Sequence, residues 1–463
     1  MRQRAFPAIV GGAAALLVIA LLFFTFGPGH ASVSLPFVRH ITPAAAPVIP
    51  PSSLPEAALL PQSGEPVGGG LSTADVEKLW APVVTAAKTG GWTSWGEVWD
   101  ADTGEVLLSA NAGEPHTPAS TMKVLTAYYV LSELDPSARL QTGVSHKGSD
   151  IYLWGEGDLL LAAGEGKSSQ INGYAGIADL AAQSVAALSA QDITSVTLHY
   201  QNRLFADPLR NPQWAVQEVE NYAGDLAPFA LDTGRTAPQA WDFVKDSSAE
   251  VAKVFADALS AADITVTKIS PGLPPEGAQE IATVESATVF EQVHYMVEQS
   301  DNTLAEQYCH LATASTLPVE EVDFEAATSH LETFLEREGV ADEKLVVADC
   351  SGLDNRSRVT ADVLLRGLAG SAEQTDAASS LSRFFPLAGM TGTLSGRFTE
   401  EPTRGNVAAK TGSLGSVATL TGVVTTESGQ NLIFAIGNDK VPDDGAYETR
   451  EYLDAFVAAL AAS

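Results

Sequence analysis

Residues 118–123 read PASTMK, with Pro118 set just ahead of a strongly helical run over residues 119–134. In such a run Ser120 and Lys123 stand three residues apart near the start of a helix, and so on one face, one above the other. A serine hydroxyl is a poor nucleophile at neutral pH and needs a neighbouring base. A lysine one turn away serves once burial or a second cation lowers its pKa. The helix start adds N–H groups and the positive end of a dipole, both suited to a developing oxyanion. Taken alone, S-x-x-K also fits an N-cap serine followed by a solvated lysine, so its meaning depends on the rest of the chain.

Two further stretches bear on it. Ser300-Asp301-Asn302 lies between helical runs at 287–299 and 303–312. In a loop it presents a hydroxyl and an amide to a cleft, although Ser, Asp and Asn are also the favoured helix N-caps. Lys410-Thr411-Gly412 is followed by Ser413 and an alternating strand. On a strand edge it projects an ammonium and a hydroxyl, with Gly412 leaving room for a substrate backbone. Lys88-Thr89-Gly90 spells the same tripeptide but ends a helical run, so it reads as a C-terminal cap. The three stretches in this order form a joint catalytic signature.

Working outward, Ser72 opens a helix with Asp75 as its capping partner. Val76, Leu79, Trp80, Val83 and Val84 make the apolar stripe, and Gly90 and Gly91 end it. A hairpin follows over residues 97–109, turning at Asp102-Thr103-Gly104. Near the other end, strands at 417–425 and 431–436 turn at Ser428-Gly429, and an amphipathic helix covers 447–460. Helix–hairpin at one end and hairpin–helix at the other predict that both termini meet in one sheet-plus-helices layer. Between residues 145 and 285 short strand-like pieces (DIYLWGEGD, SVTLHY, ITVTKI) alternate with Gly/Pro turns and Ala-rich helices. The expected division is a catalytic domain in two parts, 72–144 and 286–463, around an inserted region at 145–285.

Arg2 and Arg4 precede an uncharged stretch over residues 5–26, long enough to cross a bilayer. It reads as a signal peptide cut after Ala31 or as a retained membrane anchor. Residues 32–71, rich in Pro, Ala and Gly, read as a linker. The protein is therefore expected outside the cytoplasm. The 463 residues carry a net charge of −31, which excludes phosphate-backbone binding, so no nucleic-acid partner is expected. At 45% hydrophobic the chain can bury a substantial core. Two cysteines cannot build a disulfide framework or a four-cysteine zinc site. The eight histidines show no H-E-x-x-H spacing, so neither metal nor cofactor is expected. Ser351 lacks the G-x-S-x-G frame, and His310 has no peptidase signature around it.

The set PASTMK…SDN…AKTGS resembles the penicillin-binding serine DD-peptidases. The stretches GEGD (155–158), SDNTLAE (300–306), DCSGLDNRSRVT (349–360) and LAGMTGTLSGRF (387–398) narrow the likeness. Together they resemble the class C low-molecular-mass penicillin-binding proteins, the D-alanyl-D-alanine carboxypeptidase/endopeptidase family. Ser120 and Ser300 are 180 positions apart, matching the extra domains that family inserts there and separating the chain from compact β-lactamases. The chain departs from the family pattern in two places. Glu298 and Gln299 stand where lysine often precedes S-D-N, and Cys350 stands where glycine is usual.

The resemblance implies an α/β (α+β) fold, an antiparallel sheet flanked by helices with a large insertion between the first and second motifs. It implies a serine D-Ala-D-Ala carboxypeptidase, with or without endopeptidase action, on peptidoglycan stem peptides. Ser120 would be the nucleophile, Lys123 its base, Ser300 a proton relay, Asn302 a contact to the substrate amide and Lys410 a source of positive potential. Thr411, Gly412 and Ser413 would bind substrate, with the Ser120 and Ser413 N–H groups as oxyanion hole. β-Lactams, which resemble the same dipeptide, are expected to acylate Ser120. A β-lactamase and a non-catalytic wall-binding module on the same fold are the competing readings. Outside the cytoplasm Cys309 and Cys350 either pair or remain two buried thiols.

Overall fold

The computed structural model describes residues 69–373 and 381–463. The expected signal or anchor segment, and all of the linker but its last residues, lie outside them. No helix among the described residues is long and apolar enough to cross a membrane.

Helix α1 (Thr73–Gly90) starts at its sequence signal, with Ser72 as N-cap and Asp75 completing a capping box. Gly91, at φ +79°, ends it in the left-handed region. Lys88-Thr89-Gly90 is therefore a last helical turn. Strands β1 (Thr93–Asp100) and β2 (Val106–Ala110) form the hairpin. The run expected as one helix over 119–134 is a 3-10 turn, Ala119–Thr121, followed by α2 (Met122–Glu133). Ala119 has φ +47°, which a regular helix excludes, so Ser120 stands on the turn and Lys123 inside the helix.

A second sheet follows α2. It contains β3 (Arg139–Lys147), β4 (Asp150–Gly155), β6 (Ser195–Tyr200), β8 (Thr265–Pro271) and β9 (Gln279–Thr288), in the order β8-β6-β4-β3-β9. β4, β6 and β8 run parallel, so their connections need crossovers. Helices α3 (Ile177–Ser189) and α5 (Ser247–Ala261) supply these, their apolar faces closing a core around Ile151, Leu153, Leu198 and Phe255. β5 (Asp158–Leu161) pairs with β7 (Phe229–Leu231) beside this sheet, and the short α4 (Pro212–Val216) precedes β7. The sheet begins at Arg139 and ends at Thr288, outside the expected limits of 145–285 at both ends, because β3 and β9 pair along their whole length.

The chain then returns through α6 (Val289–Gln299), α7 (Asn302–Thr313), α8 (Phe324–Arg337) and α9 (Ala361–Glu373). Strands β10 (Val407–Leu414), β11 (Val417–Thr425) and β12 (Asn431–Asp439) join the first hairpin in an antiparallel sheet, β10-β11-β12-β1-β2. The last helix, α10 (Ala446–Ala461), packs beside α1, with the Trp80 and Phe456 rings edge to face at 4.9 Å. Helices α1 and α10, at the two ends of the described residues, thus share one layer, and β10 is left as an edge strand facing the turn that carries Ser120.

Candidate active site

The three stretches meet at the edge of the first sheet. Lys123 is fully buried, and its Nζ lies 3.1 Å from Ser120 Oγ. It also donates to Asn302 Oδ1 at 2.6 Å and to the Ser351 carbonyl at 2.7 Å. Lys410, equally buried on β10, donates to Ser300 Oγ at 2.8 Å and to the Thr411 carbonyl at 2.8 Å. Thr411 Oγ1 is 2.9 Å from Thr393 Oγ1. Ser120, Ser300 and Thr411 are half-buried and Ser413 is exposed, so the groove offers hydroxyls to solvent with both amines beneath them.

Each position has a local cause. Ser300 ends α6 in the left-handed conformation, at φ +57°, while Asp301 begins α7 by accepting the Leu304 N–H. The S-D-N stretch is therefore both a helix cap and part of the groove. Gly412 is required for close approach: a Cβ there would stand 2.1 Å from Thr419 Oγ1 and 2.8 Å from the Pro118 carbonyl. The glycine thus brings the Ser120 turn against β10, where the sequence suggested room for substrate. Thr419 Oγ1 fixes the same contact by donating to Pro118 O at 2.8 Å.

Burial disfavours the charge on both amines. It lowers Lys123 to about 8, against the opposing pull of nearby carboxylates, Asp349 foremost and then Asp301. Lys410 falls well below the usual lysine range through burial and the facing Lys123, with no carboxylate to support it. Asn302 does more than face a substrate. Its Oδ1 holds Lys123 while its Nδ2 donates to the Tyr222 carbonyl at 2.9 Å, leaving the second amide N–H for a substrate carbonyl.

Several supporting groups escaped the sequence. The Ser351 and Tyr222 carbonyls are backbone and leave no signature in residue type. Thr393 and Ser351 fall in stretches that looked familiar without a role attached. Arg235, from the second-sheet region, donates to Asp301 Oδ2 at 3.0 Å and pins the S-D-N turn. Cys309 on α7 and Cys350 are joined in a disulfide, which decides between the two readings left open for them. The Cys350 carbonyl accepts from Thr126 Oγ1 at 2.6 Å, so the bridged loop is also tied to α2.

A model of the D-Ala-D-Ala carboxypeptidase 3 (S13) family matches residues 87–242 and 237–460. The chain is 31% identical over 477 residues to carboxypeptidase DacB of Mycolicibacterium smegmatis, covering 99% of this chain and 97% of that protein. It is also 31% identical over 395 residues to a carboxypeptidase of Mycobacterium tuberculosis, covering 79% of each. Among solved structures it is similar to penicillin binding protein 4 of Haemophilus influenzae, with a TM-score of 0.67 and 20% identity, over 82% of this chain and 98% of that one.

Proposed function

Because the chain belongs to the D-Ala-D-Ala carboxypeptidase 3 (S13) family, we propose that its reaction runs through an acyl-enzyme on Ser120. The protein is a serine-type D-Ala-D-Ala carboxypeptidase acting on peptidoglycan, a class C low-molecular-mass penicillin-binding protein. The observation that carries the site reading is the 3.1 Å contact between Lys123 Nζ and Ser120 Oγ, with Lys123 buried among groups from all three stretches.

In the proposed reaction Ser120 Oγ attacks the carbonyl between two D-alanines and its proton passes to neutral Lys123. The N–H groups of Ser120 and Ser413 hold the oxyanion. The C–N bond then breaks, Ser300 relays the proton to the departing amine, and water hydrolyses the ester. The substrate's terminal carboxylate settles by Thr411 and Ser413, where it favours the charged form of Lys410. That charge in turn favours neutral Lys123, since two ammonium groups this deeply buried oppose each other. Asn302 serves first to hold Lys123, which its Oδ1 contact supports.

The enzyme works outside the cytoplasm, where its wall substrate is found. We propose that residues 5–26 direct it there, either as a cleaved signal or as an anchor in the membrane, and that residues 32–71 space the catalytic body from that membrane. The second sheet is proposed as an inserted domain between the two catalytic parts.

Intact mass after penicillin treatment tests the nucleophile. The expected result is one stable adduct on the wild type and none on Ser120→Ala, together with D-alanine release from stem peptides by the wild type alone. An adduct on Ser120→Ala overturns the assignment, and rapid turnover of the antibiotic favours the β-lactamase reading.

A further inference from the structure

Glu306 lies on the first turns of α7, fully buried, and touches neither the nucleophile nor the groove surface. Its Oε1 accepts the Ser351 N–H at 2.8 Å, and the carbonyl of the same residue accepts from Lys123 Nζ at 2.7 Å. One residue thus links the carboxyl to the base. Among the described residues Glu306 Oε2 has no hydrogen-bond partner. An ionised oxygen without a donor in a dry interior is among the costliest arrangements a protein can hold.

The contrast with Asp349 is instructive. That buried carboxyl accepts from Trp214 Nε1 at 2.9 Å, Ser351 Oγ at 3.1 Å, Gly352 N at 2.7 Å and Asp354 N at 2.7 Å. Donors of this number favour the ionised form, against the burial that raises this carboxyl as well. Of two such carboxyls, the one with fewer donors is the better placed to keep a proton.

We propose that Glu306 is a positioning residue for Lys123: as a neutral acid it holds the Ser351 peptide so that its carbonyl is aimed at the Lys123 amine. This rests on Lys123 being the base for Ser120. Burial and the nearby Asp349 raise Glu306 to about 8, outweighing the Ser351 and Cys350 donors that favour its ionised form, in keeping with a neutral acid at working pH. The charged and titratable groups around it are Lys123 on α2, Asp349 and Asp354 on the bridged loop, Asp301 at the start of α7, His310 one turn along α7, and Lys410 beyond Lys123. An ionised Glu306 would add a third negative charge near Lys123 and hold it protonated.

The test compares Glu306→Gln and Glu306→Ala with the wild type in penicillin acylation across pH, with Ser120→Ala in the same assay. Glutamine keeps an acceptor for the Ser351 N–H and cannot ionise. It is expected to stay within about threefold of wild type with the acid limb of acylation unmoved, because it copies the neutral acid. Alanine is expected to lose roughly 10- to 100-fold in the acylation rate constant with little change in penicillin affinity. Glutamine as slow as alanine, or an acid limb moved down by roughly one pH unit in glutamine, shows that an ionised carboxylate was needed and overturns the proposal. Alanine matching wild type also overturns it. If alanine does not fold, infrared spectra of wild type carrying labelled glutamate decide: a protonated band absent from Glu306→Gln supports the proposal, and no such band sinks it. An adduct on Ser120→Ala would instead mark failure of the nucleophile assignment.

Discussion

The two sheets of this protein differ in how they handle buried charge. The core of the second sheet is built from Ile151, Leu153, Leu198, Phe255 and their neighbours, with Ser145, Ser184 and, on the adjoining β5, Asp158 among its buried polar groups. Beside the edge of the first sheet lie two fully buried lysines and three fully buried carboxyls: Lys123, Lys410, Glu306, Asp349 and Asp354. A buried charge weakens a fold unless it is well partnered. The first region therefore bears the energetic cost of the chemistry, and the second lends shape and a few contacts. Those contacts are specific: the Tyr222 carbonyl to Asn302 and Arg235 to Asp301.

This contrast can be broken by substitution. Lys123→Met should slow penicillin acylation by about 10³-fold, the scale of a lost general base. Its thermal midpoint should fall, because Asn302 Oδ1 and the Ser351 carbonyl lose their buried donor. Acylation by the folded fraction that stays at the wild-type rate would show that Lys123 is only structural. In the wild type the same base sets the pH dependence. The folded pKa is lowered to about 8, so the neutral fraction grows as pH rises towards that value. Acylation should climb roughly tenfold per pH unit below it and level off above, as stopped-flow rates would report.

Arg235→Ala reaches across from the second region. It frees Asp301 and with it the turn bearing Ser300 and Asn302, and should cost roughly 10-fold in acylation through misplaced groups. Unchanged kinetics would reduce the second region to a passenger. Phe255→Ala, in the apolar core, should have the smallest effect on chemistry. It should lower stability by about 3–5 kcal/mol while acylation by the folded fraction stays within about twofold of wild type. Denaturant unfolding followed by labelled-penicillin binding reads both.

Much of the site was legible because its chemistry lies in side chains of distinctive type. Ser120, Lys123, Ser300, Asn302 and Lys410 could be named from short strings, and the strand after Lys410 separated it from the helix-ending Lys88. Ser72 with Asp75 marked a helix start because capping is a local exchange of hydrogen bonds. The parts that stayed hidden depend on backbone or on distant packing. Ala119 at positive φ is imposed by the docking of its turn against β10, and nothing in an alanine announces that. The carbonyls of Ser351 and Tyr222 could belong to any residue. Glu306 closed the SDNTLAE stretch with no role attached, since its burial arises only when the bridged loop folds over it. Likewise β3 and β9 extend past the expected limits of the second region because their pairing, not their composition, sets where the sheet ends.

The bridge from Cys309 to Cys350 fastens the loop that steadies the base, and such bonds do not persist in a reducing cytosol. Without the bridge that loop is held by hydrogen bonds alone. Oxidation adds a covalent tie to it outside the cytoplasm, where the wall substrate of the family is found.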